Sequence, residues 1–149
     1  NGQVLFIDKR RADAGYETLA QAGQVAPAYC TGVGKVILAF MNEESRNLAI
    51  QQQAFHSYTD ATHTDAKTLE VELSAIRKDG VAYDREEHQS GIISIAAPIL
   101  TARKRVIGAV SIATSTSRHS LDGLEAFRPI LLETAAKIGT GAQSWRSPI

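Results

Sequence analysis

The chain has 149 residues, 44% hydrophobic and 21% charged, which suits one globular domain with its own core and excludes a disordered tail. Sixteen basic residues balance sixteen acidic ones, so the chain is a poor candidate for binding DNA by itself, where phosphate neutralisation supplies much of the affinity. One cysteine, Cys30, rules out an internal disulfide and fits a reducing, cytoplasmic setting. No apolar run is long enough to span a membrane, and no signal peptide is visible.

Residues 3–7 (QVLFI) read as a short strand, so close to the start that the chain reads as a segment of a longer protein. Lys9-Arg10-Arg11, like Arg103-Lys104-Arg105 further on, reads as a solvated turn. Residues 17–21 suggest a weaker second strand. Pro27 breaks the chain before Cys30-Thr31-Gly32-Val33-Gly34-Lys35. Residues 35–40 have helical composition, and Asn42 can cap a helix over 42–52. Residues 55–64 are polar and read as loop. Thr64 or Asp65 can cap the clearest helix, 65–78, whose Leu69, Leu73 and Ile76 share one face. Gly80 sits where a left-handed cap is wanted. The segment Asp84-Arg85-Glu86-Glu87-His88 reads as an acidic, solvated loop, with Asp84 the residue nearest the sheet and expected to face inward. Two runs rich in Ile and Val then predict a β-hairpin over 92–113. The last helix starts near Ser120 and keeps helical spacing to Ile138, with Pro129 expected to kink or split it. The tail after Gly139 reads as frayed. Early strands, intervening helices and a closing hairpin favour an α+β domain with a mostly antiparallel sheet and helices packed on it.

Gly32-Val33-Gly34-Lys35 is similar to the end of a phosphate loop but lacks the first glycine and the Ser or Thr after the lysine. It reads either as a tight turn or as a glycine-rich helix entry, where unpartnered N–H groups could meet a small carboxylate. Glu86, Glu87 and His88 lack metal-ligand spacing, and His56, His63 and His119 lie in polar segments, so no metal or cofactor is expected. On the hairpin, Ile92, Ser94 and Ala96 share one face, as do Ser111 and Ala113. If Thr101 pairs with Lys104, Ser94 stands opposite Ser111. The two serines either satisfy each other or floor a pocket. No GxSxG elbow precedes either one, so catalysis is not expected.

Taken together, these residues resemble the effector-binding domain of the IclR family of bacterial transcription regulators. The resemblance rests on Pro27, Thr31-Gly32-Val33-Gly34-Lys35, Asp79-Gly80-Val81-Ala82-Tyr83-Asp84, Glu86-Glu87-His88, Gly91, Ala96-Ala97-Pro98 and Gly108-Ala109-Val110-Ser111, and covers the chain to about Ile138. It implies a GAF-like fold for a single domain over 1–149, with a ligand pocket on one sheet face. The implied ligand is a small organic acid, and the implied assembly a dimer or tetramer. Operator DNA would be reached only through a separate N-terminal winged helix-turn-helix domain. Carried over by position, the ligand contacts fall on Gly32, Val33, Asp84, Ile92, Ser94, Ser111 and Ala113, with Thr18 and Ala26 as further candidates.

Four departures bear on specificity. Ser94 stands where a cysteine is common, Ile93 where arginine is frequent, and Ala113 where a second serine is often found. Lys104 fills a turn position where glycine is usual, and a left-handed conformation there costs roughly 1 kcal/mol. The alternatives to a sensor are a dimerisation module with a filled-in pocket and a small-molecule enzyme on a similar fold. A cavity bounded by the helix entry and the hairpin distinguishes the sensor from the dimerisation module.

Overall fold

The computed structural model describes residues 2–11 and 21–143. β1 (Gln3–Leu5) pairs antiparallel with β2 (Val25–Pro27), Val4 standing opposite Ala26. The expected second strand at 17–21 lies, but for Gln21, outside the described residues. Pro27 ends β2, a strand-terminal position where its missing N–H costs no ladder bond.

α1 (Gly32–Phe40) starts three residues earlier than expected, because Thr31 caps it by accepting the Gly34 N–H at 3.2 Å. α2 (Glu43–Gln51) is capped by Asn42, and α3 (Ala66–Asp79) by Asp65, each accepting an N–H at 2.8 Å from the residue three positions on. Leu69, Leu73 and Ile76 are the buried residues of α3, as their spacing requires. Residues 55–64 form no helix or strand.

The acidic segment is not all loop. Its first two residues, Asp84 and Arg85, end β3 (Ala82–Arg85), the edge of a three-stranded antiparallel sheet completed by β4 (Ile92–Leu100) and β5 (Val106–Ser115). The hairpin register also differs from expectation. Ser94 pairs with Ala113, and Ser111 with Ala96. The cause lies near the turn, where Lys104 is left-handed at φ 62° and a bulge between Ile99 and Leu100 breaks the ladder. The slip is of two residues, an even number, so every side chain stays on its expected face.

α4 (Leu121–Glu125) and α5 (Arg128–Gln143) are separated at Ala126 and Phe127, the split that Pro129 demands. The domain is layered. α1 packs on one face of the three-stranded sheet with α3 outside it, and α4 and α5 cover the other face. β4 is central and buried throughout 93–99. Ile93, Ile95, Ala97 and Ile99 join Leu124, Leu131 and Ala135 in one core, while Ala96 joins Val36, Leu38 and Leu69 in the other. Among the described residues no helix is long and apolar enough to cross a membrane.

The tail expected to fray after Gly139 is helical to Gln143. Gly139 is what lets α5 close on the sheet, since a Cβ there would lie 2.3 Å from the Leu100 carbonyl oxygen. Gly139→Ala is therefore expected to destabilise the domain by about 1–3 kcal/mol through overpacking, despite the higher helix propensity of alanine. Chemical denaturation of the parent and the variant checks this.

Candidate functional site

The start of α1 faces the sheet across two rows of small or short residues. One row runs Asp84, Ser94, Ala113 across the three strands, and the next runs Ala82, Ala96, Ser111. Alternation puts both rows on one face, and nothing in them is bulky. Gly32 sits directly above, where a Cβ would meet the Ser94 hydroxyl at 2.7 Å and the Ala96 Cβ at 3.4 Å. The close approach at Gly32 and the short side chains beneath it leave a cavity of about 590 Å³.

The cavity is lined by Thr31, Gly32 and Val33 at the helix start, and by Asp84, Ser94, Ser111 and Ala113 on the sheet. Phe6 and residues 23–26 of the β1–β2 arm close one side, and His88 and Gln89 of the β3–β4 turn another. Of the residues proposed from sequence, Gly32, Val33, Asp84, Ser94, Ser111, Ala113 and Ala26 therefore gather around one space. Ile92 pairs with Ser115 and does not line it. Thr18 lies outside the described residues. Phe6, Gly23, Gln24, Val25, Thr31, His88 and Gln89 also line the cavity and were not among the expected ligand contacts. For His88 and Gln89 a signal was available, their closeness in sequence to Asp84.

The helix start offers donors. The Thr31 carbonyl accepts the Lys35 N–H at 2.9 Å and the Thr31 hydroxyl takes that of Gly34, while the N–H groups of Gly32 and Val33 precede the first intrahelical bond. The positive end of the helix dipole adds to their pull on an anion.

The carboxyl on the opposite wall is tuned to go with them. Burial pushes Asp84 up to about 7; the Glu87 N–H donating to its Oδ1 at 2.9 Å opposes this, and the Glu87 carboxylate adds to it. Burial likewise lowers the His88 imidazole and pushes the Cys30 thiol up to about 12, the latter helped by Asp84 and Glu87. Burial thus opposes the charged forms of Asp84 and His88, both of which line the cavity.

Behind that wall lies a buried ion cluster. Lys35 is wholly enclosed, and its ammonium donates to Glu72 Oε1 at 2.7 Å, Glu87 Oε2 at 2.7 Å and the Tyr83 carbonyl at 2.6 Å. All three of its protons are used. The Arg85 N–H donates to Glu87 Oε2 at 2.9 Å, and the Arg85 guanidinium to Glu72 Oε1 at 3.0 Å. Burial works to raise Glu72, but hydrogen bonds from His63 and Lys35 and their charges outweigh it and hold the carboxyl at about 2. The Thr59 and Thr62 hydroxyls donate to the Glu86 and Glu87 carbonyls, each at 2.6 Å, and pin the turn. Glu87 is thus a core residue, not part of a solvated loop.

This arrangement, a polar cavity between a helix start and an antiparallel sheet, is that of an α+β domain built to hold a small ligand. The model of the C-terminal domain of IclR-type bacterial transcriptional regulators matches residues 1–140, and the chain belongs to that family. It is 37% identical over 123 residues to the DNA-binding transcriptional repressor YiaJ of Escherichia coli, covering 81% of this chain and 44% of that one. Its fold superposes on the crystal structure of Thermotoga maritima IclR with a TM-score of 0.87 at 28% identity, over 94% of this chain and 57% of that one. The inducer-binding domain of a PobR double mutant from Acinetobacter, solved with 3-hydroxybenzoic acid, aligns with a TM-score of 0.78 at 29% identity, over 85% and 74%. The chain spans about half the length of the curated relatives it matches.

The Asp84 shift carries a sign. Its pKa in the folded state lies above the ordinary 3.8, so the folded chain holds the proton more tightly, and this contribution to stability is lost as pH rises from about 4 through about 7. Asp84→Asn keeps an acceptor for the Glu87 N–H and removes the titration. The difference in stability between variant and parent is expected to move in the variant's favour over that interval, measured by urea denaturation at a series of pH values.

Proposed function

We propose that the chain is the effector-sensing domain of an IclR-type regulator and binds a small organic acid in the cavity at the start of α1. The ligand carboxylate accepts from the N–H groups of Gly32 and Val33. Its remaining atoms lie against Ser94, Ser111, Ala113 and Ala26. Asp84 serves as a neutral carboxyl donating to a ligand oxygen, which removes the repulsion that two carboxylates would otherwise suffer. The observation that carries this reading is the seat of Gly32, where a Cβ would meet the Ser94 hydroxyl at 2.7 Å, on the wall of a cavity that Thr31 and Val33 of the helix start also line. The 3-hydroxybenzoic acid of the PobR relative supports an acid as the ligand class.

The same cavity argues against a pure dimerisation module. Against an enzyme, the cavity histidine His88 stacks edge-on to Tyr58, and among the described residues neither cavity serine is hydrogen-bonded to a base. Operator DNA is contacted through a separate helix-turn-helix domain, in keeping with the zero formal charge of this chain. The setting is the cytoplasm, and the reading needs no cofactor. An effector that binds one arrangement of the regulator better than another shifts the balance between them.

Calorimetry against a panel of small hydroxy, keto and aromatic acids is expected to find a ligand. Gly32→Leu should abolish its binding, and Ser111→Ala should weaken it by about 0.5–1.5 kcal/mol, one neutral hydrogen bond. Tight binding by a folded Gly32→Leu variant places the ligand elsewhere.

Self-association follows from the exposed surface. β5 pairs only with β4 among the described residues, and Ile130, Leu132 and Ile138 of α5 are exposed. Sedimentation at micromolar concentration is expected to show a dimer or tetramer, and a monomer contradicts this reading.

A further inference from the structure

Within the ion cluster three ligand-type atoms converge. His63 Nε2, Glu72 Oε2 and Glu87 Oε1 all lie within 4.8 Å of one another. His63 comes from the loop before α3, Glu72 from the middle of α3, and Glu87 from the β3–β4 turn. Each of the three has its other polar atom engaged. Glu72 Oε1 is held by Lys35 and Arg85, Glu87 Oε2 by Lys35 and the Arg85 N–H, and His63 Nδ1 lies 3.4 Å from the Thr68 hydroxyl. This is the outer support that metal-ligating carboxylates and histidines usually have.

The inner atoms are less well served. His63 Nε2 contacts Glu72 Oε2 closely. Glu87 Oε1 is fully buried without a hydrogen-bond partner, and faces His63 Nε2 at 3.9 Å. Burying a carboxylate oxygen unpaired is costly. One proton on Nε2 serves Glu72 and leaves Glu87 Oε1 unsatisfied. A metal ion seated among the three atoms would take Nε2 as a lone-pair donor and give the buried Glu87 Oε1 the partner it lacks.

We propose that His63, Glu72 and Glu87 form a binding site for a divalent transition-metal ion of the zinc type, which ties α3 to the β3–β4 turn carrying the cavity residues His88 and Gln89. One imidazole and two carboxylates leave a fourth position for water, and His63 is partly exposed, so an ion has an entry path. Tetrahedral neighbours on zinc stand about 3.4 Å apart, so the close contact between His63 and Glu72 has to open as the ion enters. The Lys35 and Arg85 charges compete for the same carboxylates. They disfavour calcium and magnesium, which seek more oxygen ligands, and leave an ion that gains from the nitrogen.

The test uses the 149-residue chain stripped with a chelator and titrated with zinc by calorimetry and with cobalt by visible absorption. One ion per chain, cobalt ligand-field bands and no uptake of magnesium are expected. His63→Ala should weaken zinc binding about 100-fold or more, and Thr68→Ala about tenfold. His119→Ala, remote from the cluster, should leave it unchanged. Circular dichroism of each variant establishes that it is folded. No stoichiometric uptake at millimolar zinc overturns the proposal, as does parent-like uptake by folded His63→Ala. So does a nitrogen-15 spectrum of His63 that remains imidazolium in the presence of zinc, because the atom between the carboxylates is then only a proton.

Discussion

The ammonium of Lys35 is the point on which the rest of the structure depends. It sits with no exposure at all inside the domain, and every one of its protons goes to a different element: α3 through Glu72, β3 through the Tyr83 carbonyl, and the β3–β4 turn through Glu87. A buried charge is tolerable only when such partners are complete. The requirement works in reverse as well. Once Lys35 is inside, α1 cannot rotate or slide without breaking three charge-assisted contacts, so the position of its first turn over the sheet is set. The cavity at Gly32, one turn earlier on the same helix, inherits that precision.

The cavity itself is a consequence of what is missing from two rows of the sheet. A central strand buried on both faces normally fills both with branched side chains. β4 does so only toward α5, with Ile93, Ile95 and Ile99; toward α1 it presents Ser94 and Ala96. Ala82, Ser111 and Ala113 continue the pattern on the neighbouring strands, and Gly32 continues it above. The volume not occupied by these side chains is the volume a ligand can take. The hydroxyls and the Asp84 carboxyl keep it from being merely a packing defect.

Much of this was legible in the sequence, and the failures have physical reasons. The cap at Asp65, the stripe of Leu69, Leu73 and Ile76, and the break near Pro129 are local, so periodicity and capping chemistry reach them. The faces of the hairpin are legible too, because alternation does not depend on register. The register was not, since it is decided by a bulge at Ile99 and Leu100 that no residue type announces. The end of β3 at Asp84 and Arg85 was read as loop because both residues are charged, and its strand character comes from pairing with β4. Lys35 and Glu87 were the deepest omission. Charged residues are normally outside, and only a partner distant in sequence makes burial tolerable; Lys35 and Glu87 are 52 positions apart. The clue present was a single lysine within the apolar Val33-Gly34-Lys35-Val36-Ile37-Leu38 run.

The cavity and the ion cluster share one short stretch of chain, and this constrains how ligand binding can be felt elsewhere. Asp84 faces the cavity, yet its Oδ1 accepts from the Glu87 N–H, and the Glu87 side chain is bound to Lys35. An anion placed at the start of α1 adds negative charge beside Asp84, which favours the protonated form of that carboxyl. A neutral Asp84 accepts a weaker bond from the Glu87 N–H and no longer repels the Glu87 carboxylate. The balance of charge around Lys35 then changes without any side chain having to cross the cavity wall. Packed cores respond to such changes by moving between discrete arrangements, not by deforming gradually. The elements that Lys35 joins are α1, α3, β3 and the β3–β4 turn. On the other face, where α5 closes on Leu100 through Gly139, the described core residues are apolar. On the proposed reading, a ligand would therefore act first on the elements that Lys35 joins, and the apolar α4–α5 layer would be the frame against which they respond.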